Sequence, residues 1–435
     1  MVSKIRFGGG HRKNSVSFLG GEMKAVILVG GRGTRMGPFA DGLPKPMIKV
    51  AGKPILEHQI ELVKRYDIRD IILLTGHKGE AIEGYFGDGE RCGVSIAYHR
   101  ETAPLGTAGA VKAVEDWMGG DFVVLYGDVL VDMNLQRLVD FHKAGSPLAT
   151  LVLHPNSHPS DSDLVDIDEN ERITHFHPKP HRSDEFHRNL VSAALYVCSR
   201  EILDFIEKGV ASDFGKDVFP RVLREGGCLM GYQTSEYLKD IGTPDRLNQV
   251  SEDYLSGRVS QSNISSRQKA IFLDRDGVIN EERDLLHKIE YFRLLPHVGE
   301  AIREINQSGY LAVVVTNQPV VARGLCSMEE VGTIHNKMET LLGEKGAYLD
   351  RIYLCPHHPD KGYPEENVEF KIDCDCRKPK VGLIQKACQD LNVDPEASFC
   401  IGDSTTDIQT AKAAGMPSVL VRTGFGGEDG KYQVK

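Results

Sequence analysis

Residues 271–280 read IFLDRDGVIN, three apolar residues that run into two aspartates spaced two apart. An apolar run that stops at acidic residues predicts a buried strand whose end opens onto solvent. Two further stretches have this form, LAVVVTNQ at 311–318 and ASFCIGDSTTD at 397–407. Upstream, KAVILVGG (24–31) and IRDIILLTG (68–76) flank PILEHQIELVKRY (54–66), whose apolar residues recur with helical spacing. Strand, helix and strand in succession predict parallel sheets covered on both faces, the doubly wound α/β class.

At 435 residues the chain is too long for one ordinary core. The pattern lapses at 251–269, SEDYLSGRVSQSNISSRQK, which is polar and reads as a flexible linker that buries little. The expected organisation is a disordered tail over 1–22, a first domain over 23–250, this linker, and a second domain over 270–435. A net charge of −10 argues against nucleic acid as the main partner. No apolar run approaches the roughly 18 residues that span a bilayer, so no membrane partner is expected. The nine cysteines are odd in number, and six are scattered outside 355–380. That predicts reduced thiols in a cytoplasmic protein. Oligomeric state is not legible.

After the strand at 24–29 comes GGRGTRMG, residues 30–37. Met36 stands where a dinucleotide fingerprint needs glycine, and the Gly-Lys-Ser/Thr of a Walker loop is missing. A tight turn accounts for the glycines. A cradle of backbone N–H groups with Arg32, Arg35 and the following Lys45 accounts for the cations as well and suits a triphosphate.

GGRGTRM, LPKPMIKVAGKPILEH, PLGTAGAV and YGD, in that order over about 23–250, resemble the sugar-1-phosphate nucleotidyltransferases, notably the mannose-1-phosphate and heptose-1-phosphate guanylyltransferases. The resemblance implies a Rossmann-like domain in which Gly30, Gly31, Arg32, Gly33 and Thr34 hold the nucleoside triphosphate, with Gly106 and Thr107 also lining the substrate site. Arg35 and Lys45 would neutralise the reacting phosphates, Lys179 would meet the sugar phosphate, and Asp128 and Asp240 would hold Mg²⁺. The chain departs from the family at Pro178, where Glu is common, and at Ser192, where Asn is common; both positions are expected to face the sugar.

In the second half Asp274 and Asp276 are followed by Thr316 and Asn317, then Lys378, then Asp403 and Asp407. An Asx-type turn explains one aspartate but not this set. The order resembles the haloacid dehalogenase (HAD) phosphatases across about 270–435, without an insertion long enough for a large cap. By that resemblance Asp274 is the nucleophile and Asp276 the acid and base. Thr316, Asn317, Arg377 and Lys378 face the phosphoryl group, and Asp274, the Asp276 carbonyl and Asp403 hold Mg²⁺.

Residues 355–380, CPHHPDKGYPEENVEFKIDCDCRKPK, carry one more set. Cys355, His357, Cys374 and Cys376 make a closed Cys₃His donor set for structural Zn²⁺, with His358 as the weaker ligand. The cage would pin a loop of about 20 residues whose exit presents Arg377 and Lys378. DRDGVIN, TNQ, ARG (322–324), CPHH and CDCRKP together resemble the D-glycero-D-manno-heptose 1,7-bisphosphate 7-phosphatases, whose zinc loop histidinol phosphatases share. Pro319 and Val320 depart from the Ser-Gly usual there. The pairing implies consecutive steps: heptose bisphosphate to heptose 1-phosphate, then nucleotidyl transfer from an NTP, GTP before ATP. The alternatives are a mannose-1-phosphate guanylyltransferase fused to a histidinol-phosphatase-like enzyme, and a non-catalytic sugar-nucleotide sensor.

Overall fold

The computed structural model describes residues 23–31, 43–182, 184–362 and 365–433. Strands Ile173–His177, Leu164–Ile167, Val191–Cys198, Phe122–Tyr126, Lys24–Leu28, Asp70–Thr75 and Ser95–Arg100 lie side by side in the first sheet. Ala149–His154 pairs with Val191–Cys198 and carries Leu229–Gln233 on its far edge, giving nine strands. Lys24–Leu28 runs parallel to both neighbours, and Asp70–Thr75 is parallel to Ser95–Arg100. Beyond Phe122–Tyr126 the pairing turns antiparallel, at Val191–Cys198. The α/β class is thus as expected, while the all-parallel sheet is corrected to a mixed one: Leu164–Ile167 and Ile173–His177 form an antiparallel pair that needs no crossover helix.

Alternation along the parallel strands sets two cores. Ala25, Ile27, Leu73 and Val123 face one, and Val26, Ile72 and Val124 face the other. Apolar residues on both faces are what a strand covered on both sides requires.

The second sheet is parallel throughout, in the order Arg351–Cys355, Leu311–Asn317, Ala270–Leu273, Phe399–Gly402, Ser418–Leu420. Its strands alternate likewise, Phe272 and Val313 toward one core and Leu273 and Val314 toward the other. In each sheet the chain leaves the first strand to build on both sides, and ligands bind outside the carboxyl ends at such switch points.

The expectation that 251–269 buries little is corrected. Helix Pro244–Leu255 runs through its start and helix Arg258–Gln261 follows. Val259 and Ile264 are each 4 % exposed. Glu236 accepts from the Ile264 N–H at 3.0 Å and the Asn134 N–H at 2.7 Å. The Gln268 amide donates to the carbonyls of Gln261, Asn263 and Ser266, and Asn392 donates to those of Ile264 and Ser266. The polar residues that suggested a solvated tether satisfy the backbone of a docked segment instead. No described helix is long and apolar enough to cross a membrane.

Candidate functional site

Strands Lys24–Leu28 and Phe122–Tyr126 end side by side, and the first candidate site opens there. Arg32, Gly33, Thr34 and Arg35 lie outside the described residues. Gly30 is at the head of the loop, where a Cβ would come within 2.7 Å of Glu101 Oε2, while one on Gly31 would meet nothing. Burial pushes the Glu101 carboxyl up, offset in part by the Leu105 N–H that it accepts.

Lys45 is buried in the turn Lys45–Met47, and its Nζ is 2.9 Å from Asp128 Oδ2. The fully buried Gln59 donates to the carbonyls of Tyr126 (2.8 Å) and Val129 (2.7 Å), fixing the turn that carries Asp128. Strand Tyr237–Asp240 pairs antiparallel with Val129–Asp132, so Asp240 stands opposite Val129 and the Ile241 N–H donates to the Asp128 carbonyl. Both expected Mg²⁺ ligands therefore reach one end of one ribbon. Arg246 binds both oxygens of Asp240, at 2.7 and 2.8 Å. Arg246 on Asp240 and Lys45 on Asp128 occupy oxygens that a divalent ion would need.

Lys179 donates to the carbonyl (2.7 Å) and carboxylate (3.0 Å) of Asp161. It lines a cavity of about 1130 Å³ together with Ser192, Asp240 and Arg246. Gly106 has φ +72°, and a Cβ there would meet the Ser212 carbonyl at 2.4 Å. The Thr107 hydroxyl donates to Asp213 Oδ2 and accepts from the Phe214 N–H. Gly106 and Thr107, expected to touch substrate, dock helix Gly106–Lys112 onto 212–214.

The second candidate site sits at the carboxyl ends of Ala270–Leu273, Leu311–Asn317 and Phe399–Gly402. Lys378 Nζ is 2.9 Å from Asp274 Oδ2 and 2.6 Å from Asp407 Oδ1. Oxygens of Asp274, Asp403 and Asp407 lie within 4.8 Å of one another. Burial raises the Asp274 carboxyl well above the carboxylate range despite Lys378, and raises Asp403 to about 6. Burial also opposes the charge on Asp407, but Lys378 and Ser404 outweigh it and hold that carboxyl low. Two buried carboxylates and one half-buried one against one ammonium leave the cluster short of positive charge, and all its donors are hard oxygens. It fits Mg²⁺. Asp403 has room because Gly277 and Gly424 flank it; a Cβ at either would fall within 2.2 Å of its Oδ2.

Asp276 turns its side chain away from this cluster. Arg275, with no exposed surface, donates to both Asp276 oxygens, Asn280 to Oδ1 and Gln318 to Oδ2. Burial works against the Asp276 charge, yet Arg275 and these amides hold its carboxyl below the usual range. Gln318 also donates to the Thr316 hydroxyl at 2.9 Å. The amide of Asn317, expected to face the phosphoryl group, bonds both the N–H and the carbonyl of Lys378. Arg377 likewise donates to the His357 carbonyl. These contacts place Lys378.

Donor atoms of Cys355, His357, Cys374 and Cys376 converge within 4.8 Å. Cys376 Sγ is 3.1 Å from the sulfurs of both Cys355 and Cys374, and 3.2 Å from His357 Nδ1. These gaps exceed a disulfide bond of about 2.05 Å. They approach the roughly 3–4 Å separations of ligands 2.0–2.3 Å from a shared ion. The set fits Zn²⁺. His358, also buried, is not part of the set; its Nδ1 accepts from the backbone N–H of Asp360.

Sequence reasoning passed over Gln59, Glu101, Arg246, Arg275 and Gln318. Arg275 and Gln318 stand inside the quoted motifs, so spacing could have found them; nothing local marks Gln59 or Arg246.

Fold and sites together define a nucleotidyl-transfer domain followed by a HAD-type phosphatase domain. Residues 24–257 match the nucleotidyl transferase family and 375–433 the HAD-hydrolase-like family. The second half is 44 % identical over 159 residues to the D-glycero-beta-D-manno-heptose-1,7-bisphosphate 7-phosphatase of Haemophilus ducreyi, covering 36 % of this chain and 85 % of that one. The first half is 34 % identical over 238 residues to a mannose-1-phosphate guanylyltransferase of Mycobacterium tuberculosis, covering 54 % of this chain and 66 % of that one. It is equally 34 % identical to a UTP–glucose-1-phosphate uridylyltransferase of Synechocystis, covering 51 % of this chain and 61 % of that one. The chain belongs to the nucleotidyl transferase family through its first half and to the family of the Haemophilus phosphatase through its second.

Proposed function

We propose that this chain is a bifunctional enzyme that makes a nucleotide-activated heptose. Its second half removes the 7-phosphate of D-glycero-D-manno-heptose 1,7-bisphosphate. Its first half then transfers GMP from GTP to the heptose 1-phosphate and releases pyrophosphate. The observation that carries this reading is the buried cluster of Asp274, Lys378, Asp403 and Asp407, on a half whose relatives bear that phosphatase's name. It shares a chain with a transferase-family half, and the phosphatase product is a sugar 1-phosphate of the kind such a transferase consumes.

In the phosphatase step an Asp274 oxygen forms a bond to phosphorus as the bond to the sugar C7 oxygen breaks. Asp276 gives that oxygen its proton, then takes one from the water that hydrolyses the aspartyl-phosphate. The contacts of Asp276 here favour its charged form, the one that receives a proton in the second half-reaction. Lys378 and Thr316 offset charge on the transferring group. Mg²⁺, held by Asp274, Asp403 and the Asp276 carbonyl, would supply further positive charge. Zn²⁺ in the cysteine cage would be structural, holding Arg377 and Lys378 in place.

In the transferase step the sugar phosphate is already anionic, so alignment and neutralisation by Lys45, Arg35 and Lys179 suffice. Likeness does not choose the base, since a uridylyltransferase is as similar as a guanylyltransferase. We favour GTP because the carboxylate beside Gly30, that of Glu101, is a fitting acceptor for the paired N–H donors of guanine and not for the carbonyls of uracil. Nine free cysteines fit a reducing, cytoplasmic setting.

The test is the purified chain with Mg²⁺, followed for phosphate release from heptose 1,7-bisphosphate. Pyrophosphate release is followed with heptose 1-phosphate and mannose 1-phosphate against each NTP. Phosphate release with no transfer to heptose 1-phosphate, or transfer to mannose 1-phosphate alone, overturns the two-step reading.

A further inference from the structure

One helix of the phosphatase half, Met328–Gly343, presses on the transferase half. Its Thr340 hydroxyl accepts from the His187 N–H at 3.0 Å and donates to the His187 carbonyl at 3.2 Å. At the helix end, a Cβ on Gly343 would stand 2.4 Å from Pro159 Cγ. Only glycine allows that approach. Gly346 follows, and a Cβ there would be 3.9 Å from the Ser157 carbonyl.

Ser157 and Pro159 belong to a short segment, 156–162, that reaches both charged ends of the sugar side. Asp161 holds Lys179 by carboxylate and carbonyl. His158 Nε2 is 2.9 Å from Arg246 Nη2, and Arg246 grips both oxygens of Asp240. Within the segment Asn156 ties to Ser162 at 2.9 Å, linking its two ends. The cavity bordered by Lys179, Asp240 and Arg246 is also walled by Asn306, Tyr310 and Tyr348 of the phosphatase half. Tyr310 and Tyr348 precede strands Leu311–Asn317 and Arg351–Cys355, at the sheet edge opposite the one bearing Asp274 and Asp403. The phosphatase half therefore turns its catalytic edge away and its other edge toward the transferase cavity.

We propose that the phosphatase half completes the sugar-phosphate site of the transferase: helix Met328–Gly343 sets segment 156–162, and through it Lys179 and Arg246. This rests on the transferase reading above and adds which residues set affinity for an anionic sugar 1-phosphate. Thr340 and Gly343 are positioning residues, since neither touches the substrate. A small displacement of a phosphate-binding lysine is costly, because about 1 Å of misplacement can cost on the order of 10²-fold in rate.

The test uses the full chain with Gly343→Ala and, separately, Thr340→Val. Alanine is the better helix former, so Gly343→Ala does not weaken the helix itself. Thr340→Val keeps the β-branched shape and puts a methyl group in place of the hydroxyl. Each variant is expected to raise the transferase KM for sugar 1-phosphate by about 5-fold or more, the lower end of ordinary coupling between sites. The KM for GTP and the phosphatase kcat/KM should stay within about 2-fold of the parent. An unchanged sugar-phosphate KM in both variants overturns the proposal. So does a parallel rise in the KM for GTP with a fall in phosphatase activity, which would mark general damage. A parent chain that transfers nucleotide to no sugar 1-phosphate overturns the functional reading and this proposal together, and that measurement is made first.

Discussion

Asp274 and Asp276 are two residues apart, yet their surroundings divide them into different tasks. Asp274 faces Lys378 and the carboxylates of Asp403 and Asp407, while Asp276 faces Arg275, Asn280 and Gln318. Asp274→Asn removes the attacking oxygen and is expected to abolish phosphate release while leaving pyrophosphate release from the transferase near the parent rate. Equal loss in both assays, in a chain that stays folded by circular dichroism, would break the assignment of two separate centres. Gln318→Ala tests the second environment. It strips one hydrogen bond each from Asp276 and Thr316, and bonds to charged groups are worth about 1.5–3 kcal/mol. A fall in kcat of about 10-fold or more is expected, with little change in KM; an unchanged kcat would remove Gln318 from the account.

Among the elements, the cage and one helix start govern how Lys378 is presented. The cage closes residues 355–376, and Arg377 ties its exit to the His357 carbonyl just before Lys378. Cys374→Ser is expected to drop zinc content toward zero and lower phosphatase activity, with nucleotidyl transfer preserved. Metal analysis alongside both assays decides it: an active parent without zinc, or a zinc-free variant with full activity, contradicts the role. Helix Thr405–Ala413 opens with a capping box in which Ser404 and Asp407 bond each other's backbone N–H groups. Asp407 thus serves both the helix start and Lys378. Ser404→Ala should cost about 1 kcal/mol of stability by losing a cap. It should lower phosphatase activity more than thermal stability suggests, because Asp407 loses its 2.6 Å bond to Ser404 Oγ.

At the scale of the whole molecule, electrostatics predicts how cation binding feeds back on stability. Burial raises Asp403 to about 6 and Asp274 in the same direction. A carboxyl raised on folding favours the protonated fold. Its contribution is complete below the unfolded value near 3.8 and fades as pH rises through 6 and beyond. Mg²⁺ restores what is lost by binding the charged form. The rise in unfolding temperature on adding Mg²⁺ is therefore expected to be larger at pH 8 than at pH 5, measured by calorimetry; an equal rise at both would contradict the cluster as the binding site. Tertiary organisation also decided the join between the halves. Residues 251–269 look like a tether because Ser, Gln and Arg crowd them, but Gln268 and Asn392 turn those polar groups inward onto backbone carbonyls.

What the sequence determined by itself were the α/β class, the run of catalytic-type residues at strand ends and the cysteine cage. Each follows from local order: apolar alternation makes a strand, and a strand end exposes the residue after it. Which residues surround those groups was decided only by tertiary structure. Gln59 under Asp128, Arg246 on His158 and Gly343 against Pro159 join segments dozens to nearly two hundred residues apart. No local pattern encodes such pairings, because they form only when sheets and helices pack and bring remote side chains within about 3 Å.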